Sequence, residues 1–328
     1  MSRTTQWHGP AATALLLLVL AVFPLTMSPF AVLQLTLILV YAVAILGLDV
    51  LVGWTGQVSL GQSTFFGLGA YAAAIGAAHG WPLPLCLAAG AAVAAVVGIL
   101  VAVPAARLHG YALGMITLTL PVVAVPLAKR LHPLTGGAQG INVSVVVPPG
   151  WSGLAADQWR YYVVALIAGV VFLLSSFLRR GRFGRAFDAI RANEVLAASQ
   201  GVAVTRYKIL AFTVCATYGG IAGVLYVITV QFISPETLIL TLSISMLASL
   251  AIGGLRSLTG CLLGASFYVL VPNLTGSVNA GRSYLLYGVC LLIVMVLMPG
   301  GVAPALRTAL AHALNRRHGT LTEREAAS

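Results

Sequence analysis

The stretch RRGRFGRAFDAIRANEVLAASQGVAVTRYK, residues 179–208, holds seven of the eighteen Lys and Arg residues in a 328-residue chain that is otherwise poor in charge. On either side the sequence is apolar for segment after segment. No Lys, Arg, Asp or Glu lies between Arg3 and Asp49, and none between Asp49 and Arg107. Each of these runs is long enough for two spans of roughly 20 residues. Soluble domains carry about a quarter charged residues, whereas here the share is 8%, with a mean hydropathy of +0.99. Lipid is therefore the solvent for most of the chain, and 179–208 is the part that lives in water.

Apolar segments bounded by Gly, Pro and charge predict an all-α polytopic membrane protein, a single transmembrane domain over 1–328. The expected spans lie near 11–28, 31–52, 58–78, 85–104, 111–128, 161–178, 209–232, 238–252, 258–274 and 283–298, about ten crossings. Segment 238–252 is short and 58–78 is crowded with Gly and polar residues; if both are re-entrant, eight crossings remain. Non-helical backbone at membrane depth survives only where protein or a water-filled cavity surrounds it, so both segments are pathway candidates. Placing 179–208 in the cytoplasm puts fourteen basic residues inside, with both termini and the tail 300–328, and four outside: Lys129, Arg130, Arg160 and Arg282. That is the pattern of the positive-inside rule, and it accounts for the net charge of +11 without nucleic acid. MSRTTQWHGP followed by AATALLLLVLAVF has the charge and apolar core of a signal peptide. It lacks a small-x-small cleavage site, which favours an uncleaved first span. Residues 131–160 form the longest external stretch, read as a shaped surface.

Enzyme signatures are absent: there is no G-x-S-x-G elbow, no H-E-x-x-H and no His/Cys cluster. A phosphate-binding G-x-x-x-x-G-K-[ST] is also missing, so any ATP that drives this chain is hydrolysed by another. No catalytic residue, metal site or bound cofactor is expected. Cys86, Cys215, Cys261 and Cys290 each stand alone in apolar sequence, as small buried residues do. Asp49 is the sole acid in the first two long apolar runs. A membrane-embedded carboxylate is a functional candidate by default; against that, Asp49 lies near the cytoplasmic end of its span, where water can solvate it, and the interfacial reading is preferred. GQVSLGQSTFFGLGAY (56–71) and GLRSLTGCLLGASFY (254–268) share the order Gly, Ser-Leu, Gly, Gly, aromatic. Two related transporter halves with broken helices fit this echo, and so do two small-residue packing faces.

Within the basic stretch, Arg185–Ser199 predicts one short helix punctuated by Gly184 and Gly201. Phe187, Ile190 and Ala197 recur near helical spacing, while Arg185/Asp188 and Arg191/Glu194 stand three apart and can pair. Such a helix is marginal in water and gains by packing its apolar face into a partner's groove; a solvated linker that only sets topology is the plainer alternative.

Several stretches together resemble the permease subunits of branched-chain amino acid ABC importers. They are GWTGQVSLGQSTFFGLGAYAAA (53–74), RLHGYALGMITLTL (107–120), LTGGAQGI (134–141), GRFGRAFDAIRANEVLAASQGVAVTRYKILAF (181–212), GGIAGVLY (219–226), ISPETL (233–238), IGGLRSLTGCLLGA (252–265) and YGVCLLIVMVLMPGGV (287–302). The ordered set covers most of the chain. The resemblance implies an inner-membrane subunit working with a second homologous permease, two ATP-binding subunits that use the ATP, and a periplasmic or lipid-anchored solute-binding protein. It implies an ATPase-coupling role for 181–212, with Gly184, Arg185, Phe187, Ile190, Arg191, Glu194, Ala197, Ala198 and Gly201. The pathway candidates are Gly56, Gln57, Ser59, Gly61, Gln62, Thr117, Thr119, Gly253 and Gly254. The family pattern commonly has His at Gln62, an acid near Pro121, Gly at Arg256 and Pro at Cys261. Those departures bear on the solute, since Gln62 and Pro121 fall in pathway segments. Branched-chain or related hydrophobic amino acids are the expected solutes; urea or short amides in the same family, an ion-coupled secondary transporter and a membrane scaffold are the alternatives. The secondary transporter suffers from having Asp49 alone for coupling.

Overall fold

A computed structural model describes residues 27–106, 111–143 and 153–276, together with Pro24, Pro148 and isolated positions between Gly288 and Ala303. The expected spans 11–28 and 283–298, the N-terminal signal-like stretch and the basic tail lie largely or wholly outside the described residues. Apart from two strands of two residues, the regular structure is helical.

The first helix, α1 (Pro29–Leu48), starts on Ser28, whose Oγ accepts from Ala31 N at 3.4 Å, and on Pro29, where a missing N–H costs nothing. It continues through a π-type turn, Asp49–Trp54. Then come α2 (Gln62–Ala78), α3 (Leu83–Ala105), α4 (Tyr111–Arg130) and the single turn α5 (His132–Thr135). Strand β1 (Ile141–Asn142) precedes α6 (Ala156–Arg180), α7 (Arg182–Ala192), α8 (Glu194–Ser199) and α9 (Val204–Val230). Strand β2 (Phe232–Ile233) pairs antiparallel with β1 in the register Ile141↔Ile233; a 3-10 turn (Pro235–Leu238), α10 (Leu240–Gly253) and α11 (Leu258–Gly276) follow.

Five helices are long and apolar enough to cross a membrane among the described residues: Pro29–Trp54, Leu83–Ala105, Leu113–Arg130, Ala156–Arg180 and Val204–Val230. The protein is a multi-pass membrane protein. α1 and α9 form its centre, with α2 and α3 packed along α9, α6 and α11 on α1, and α10 on α11. The outer helices carry apolar stripes toward lipid: Leu166, Val170, Leu173 and Phe177 recur on one face of α6, and Val96, Leu100 and Val103 on α3.

Two segments depart from simple spans. Segment 58–78 is helical only from Gln62, and 238–252 becomes helical at Leu240 after the 3-10 turn. Neither turns back to the end it came from, as a re-entrant loop would. The non-helical stretch before α2 leaves the end of the bundle that holds the basic loop and α2 finishes beside Val143 and Ile233 at the opposite end, while α10 follows β2 and the 3-10 turn and finishes next to Asp49 at the basic end. Lys129 and Arg130 are exposed at the opposite end, and Arg160 pairs there with Asp157 at 3.3 Å.

In lipid no hydrophobic force drives helices together, so close backbone approach supplies the packing. A Cβ added at Gly69 would overlap the Gly220 carbonyl, and one at Gly223 would overlap that of Phe66. The Gly-rich stretches are thus packing faces in fact; Gly253 and Gly264 stand in the same relation to Gly260 and Ser249 between α10 and α11. Gly69→Val should cost about 1–3 kcal/mol by overpacking and lower the melting temperature of the detergent-solubilised protein. Gly169→Val, on the exposed side of α6 where an added Cβ meets nothing within 4 Å, should leave it unchanged; equal melting of the two variants would refute the close-approach argument.

Candidate functional site

Residues 55–61 leave the helical ladder, and three of their N–H groups are bonded outside it. Gln57 N donates to Leu51 O at 3.1 Å, and Leu60 N to Thr117 Oγ1 at 3.0 Å, while Thr117 Oγ1 itself donates to Gly114 O. Gly56 turns the chain with φ 77 beside Arg191, and Gly61 closes the segment with no room for a side chain larger than hydrogen against Leu120. Ser59 Oγ accepts from Gly61 N at 3.3 Å. Gln62 then enters the core: its Nε2 donates to Ala44 O at 2.8 Å and its Oε1 accepts from Cys215 Sγ at 3.2 Å. Ala44 precedes Trp54 by ten residues, so Gln62 stands about 15 Å deeper than the basic end. Non-helical backbone therefore spans that depth, walled by protein as lipid requires.

At the same depth the first turns of α2 and α10 are joined. Ser63 N donates to Ser243 Oγ at 2.8 Å, Ser243 Oγ to Ser63 Oγ at 2.8 Å, and Ser63 Oγ to Leu238 O at 3.1 Å. Thr64 Oγ1 is buried nearby and Gln57 Nε2 is buried toward the basic end, both with no hydrogen-bond partner among the described residues.

The nine pathway candidates therefore divide. Ser59, Gly61, Gln62 and Thr117 meet at depth. Gly56 and Gln57 lie toward the basic end, where Gly253 and Gly254 (φ 105) form the separate α10–α11 turn. Thr119 stands apart from both groups: it is exposed on α4, donates to Ile116 O and faces away from the segment that Thr117 supports. Gln62 is fully buried and bridges α1 and α9.

The two groups are tied by Asp49, and here the solvated-interface expectation fails. The carboxylate is fully buried, accepting Trp54 Nε1 at 2.9 Å and Arg256 N at 2.7 Å. Around it the basic stretch is fastened to the bundle. Arg179 lies over the Trp54 ring, 5.8 Å from its centroid, and donates to Arg256 O. Arg191 donates to Val52 O at 3.0 Å and to Gly53 O.

The single helix expected over 185–199 is two. Asn193 is extended (φ −166) and its Oδ1 caps α8 by accepting Val195 N and Leu196 N at 2.9 and 3.1 Å; an Asn followed by Glu is an N-cap signal that sequence reading passed over. The internal pairs are also corrected. Asp188 pairs with Arg256 and leaves Arg185 exposed, while Glu194 pairs with Lys208 at 2.6 Å and Arg191 goes to backbone carbonyls. Phe187 and Ile190 are buried, but the groove that receives them belongs to this chain: the Phe187 ring lies 6.4 Å from Trp54 and 6.2 Å from Tyr207. Ala197 is buried with them, Ala198 is exposed, Gly184 is pressed against the Arg179 carbonyl and Gly201 (φ 81) turns the chain in open space. The apolar side chains that remain outside are Val195 at 77% and Leu196 at 60% exposure, with Phe183.

The described residues thus form a helical membrane bundle with a structured basic loop at one end. The chain belongs to the family described as branched-chain amino acid transport system / permease component, whose profile matches residues 30–297. It is 31% identical over 321 residues to the high-affinity branched-chain amino acid transport system permease protein LivM of Salmonella typhimurium, covering 90% of this chain and 75% of that one. To the LivM protein of Escherichia coli it is 32% identical over 320 residues with the same coverage. Among solved structures, PsaBC from Streptococcus pneumoniae in complex with Fab aligns with 86% of this chain and 95% of that one, with a TM-score of 0.46 and 16% identity.

Lys208 is 2% exposed and Glu194 33%, so the two halves of their ion pair are unequal. Glu194→Ala strands a buried ammonium and should destabilise the α8–α9 junction by about 1–3 kcal/mol, read as faster amide exchange over 194–208. Lys208→Met removes the buried charge and should cost less; the opposite order would mean that the pair is solvated.

Proposed function

We propose that this chain is one permease subunit of an ATP-driven importer in the bacterial inner membrane, carrying branched-chain or related hydrophobic amino acids. A second homologous permease, two ATP-binding subunits and a periplasmic or lipid-anchored solute-binding protein complete the transporter, and no cofactor is bound by this chain. Both termini and 179–208 face the cytoplasm. Segments 11–28 and 283–298 bring the crossings to ten.

The observation that carries this reading is the way the basic loop is built. It is fastened to the bundle by Arg179, Arg191 and the buried Phe187, yet it leaves Val195 and Leu196 facing out from a short capped helix. Exposed aliphatic side chains in a water-facing basic loop suit a protein groove. Closure of the ATP-binding subunits would press on α8, and through α7 on the turns at 52–56 and 254–257. No side chain here performs bond chemistry. Along the pathway, the N-terminal end of α2, the positive end of its helix dipole, suits a carboxylate. The orphaned Gln57 Nε2 and Thr64 Oγ1 offer further polar contacts, and the aliphatic surroundings suit an apolar side chain.

Uptake of labelled leucine, isoleucine and valine by cells carrying the complete transporter should stop on ATP depletion with ion gradients intact. Uptake that survives ATP depletion and collapses with an ionophore would replace this reading with an ion-coupled carrier, and uptake of labelled urea or acetamide alone would change the solute class. Val195→Ser with Leu196→Ser should lose the ATP-binding subunit on co-purification, since a buried interface anchor is worth about 1–4 kcal/mol; retention at wild-type yield would sink the docking role. Gly61→Leu should abolish uptake while the protein still inserts, because its side chain must displace Leu120 and the Thr117 carbonyl; normal uptake would leave 55–61 a packing element.

A further inference from the structure

Arg256 has φ 64, a left-handed conformation that a residue other than glycine keeps only where its surroundings hold it. Three elements hold it here. Its N–H donates to Asp49 Oδ1 at the end of α1, its carbonyl accepts from the Arg179 guanidinium at the end of α6, and its own guanidinium pairs with Asp188 on α7. Arg256 itself sits in the turn between α10 and α11.

The three bonds have different characters. Asp49 is fully buried and Arg179 bonds to the main chain, so these two define the shape of the turn. The Arg256–Asp188 pair is half exposed, 42% and 54% at the two side chains, and a pair so placed adds little to stability. Of the ion pairs among the described residues, it is the one that joins α7 to the α10–α11 turn. The corresponding link from α7 to the α1 turn is already made by Arg191 and by Phe187 against Trp54. The basic loop thus grips one irregular segment through Arg191 and the other through Asp188.

We infer that Arg256 is a positioning residue for transport: through its pair with Asp188 it transmits displacement of the basic loop to the α10–α11 turn, in step with the displacement that Arg191 transmits to the turn before α2. This rests on the reading of the loop as the contact for the ATP-binding subunits. The pair does not touch solute or nucleotide. Its loss leaves solute binding and ATP hydrolysis possible but breaks their stoichiometry.

Arg256→Gly isolates the pair, because glycine accepts φ 64 and retains the N–H and C=O that bond Asp49 and Arg179. In proteoliposomes holding the complete transporter, the variant should assemble and melt as wild type does and should still hydrolyse ATP. Solute imported per ATP should fall about two- to fivefold, the scale of one partly exposed ion pair. Asp188→Asn should reproduce the fall. The exchange Arg256→Asp with Asp188→Arg should restore most of the ratio, since Asp tolerates left-handed backbone. A wild-type ratio in Arg256→Gly overturns the inference. So does loss of assembly or melting in that variant, which would make Arg256 structural, and so does failure of the exchange to restore the ratio. A wild-type transporter that imports nothing on ATP addition would sink the proposed function instead, and this inference with it.

Discussion

Lipid offers no hydrogen bonds, and that constraint fixes where this chain can be irregular. At four places where the helical ladder stops, a side chain from another element takes over a missing partner. Thr117 on α4 receives Leu60 N, Ser243 on α10 receives Ser63 N, Asp49 at the end of α1 receives Arg256 N, and Arg191 from the basic loop donates to the carbonyls of Val52 and Gly53. Each substitution joins an unwound segment to an element remote in sequence. The irregular parts are consequently tied across the bundle, and a shift in one of them strains the bond to its donor or acceptor.

That arrangement explains why the broken segments could be found by eye while their partners could not. Glycine and polar residues crowded into 58–78, and the shortness of 238–252, mark a failing ladder directly in the sequence. The depth reached by the break depends on Gln62 bonding Ala44 and Cys215, contacts separated by 18 and 153 residues. No local periodicity encodes such distances. The apolar runs were legible for the opposite reason: a helix in lipid satisfies itself, so length and hydropathy suffice. Thr117 and Thr119 illustrate the boundary between the two. Both are polar residues on one helix two positions apart, hence on different faces, and which face meets 55–61 is decided by how α4 docks.

In the basic loop the sequence pattern identified buried positions correctly and misjudged what buries them. Phe187, Ile190 and Ala197 do form apolar sides, but a helix lying on a membrane protein has the protein's own Trp54 and Tyr207 within reach before any partner arrives. The charged residues followed the same logic. Spacing of three permits Arg185–Asp188 and Arg191–Glu194 pairs worth a few tenths of a kcal/mol, whereas tertiary partners brought by α9 and the α10–α11 turn compete for the same acids and take them. Asn193 was the readable exception, since a cap residue followed by Glu predicts the break on local grounds. Arg256 stands where the family resemblance leads one to expect glycine, and its left-handed φ shows why glycine would be at ease there.

Asp49 shows how a buried carboxylate can be held at the end of a membrane helix. An isolated anion at that depth would be costly, but here its two oxygens are occupied by an indole N–H and a backbone N–H, with Arg179 above the same indole ring. The bonds fix the chain direction of two turns at once, because one comes from residue 54 of the first irregular region and the other from residue 256 of the second. The chain's sole acid in its first hundred residues thus holds the geometry of both turns, one oxygen for each. The water-facing loop is fastened to those same two turns, by Arg179 and Asp188 at Arg256 and by Arg191 at Val52 and Gly53, so the buried carboxylate and the loop hold the same pair of turns from opposite sides.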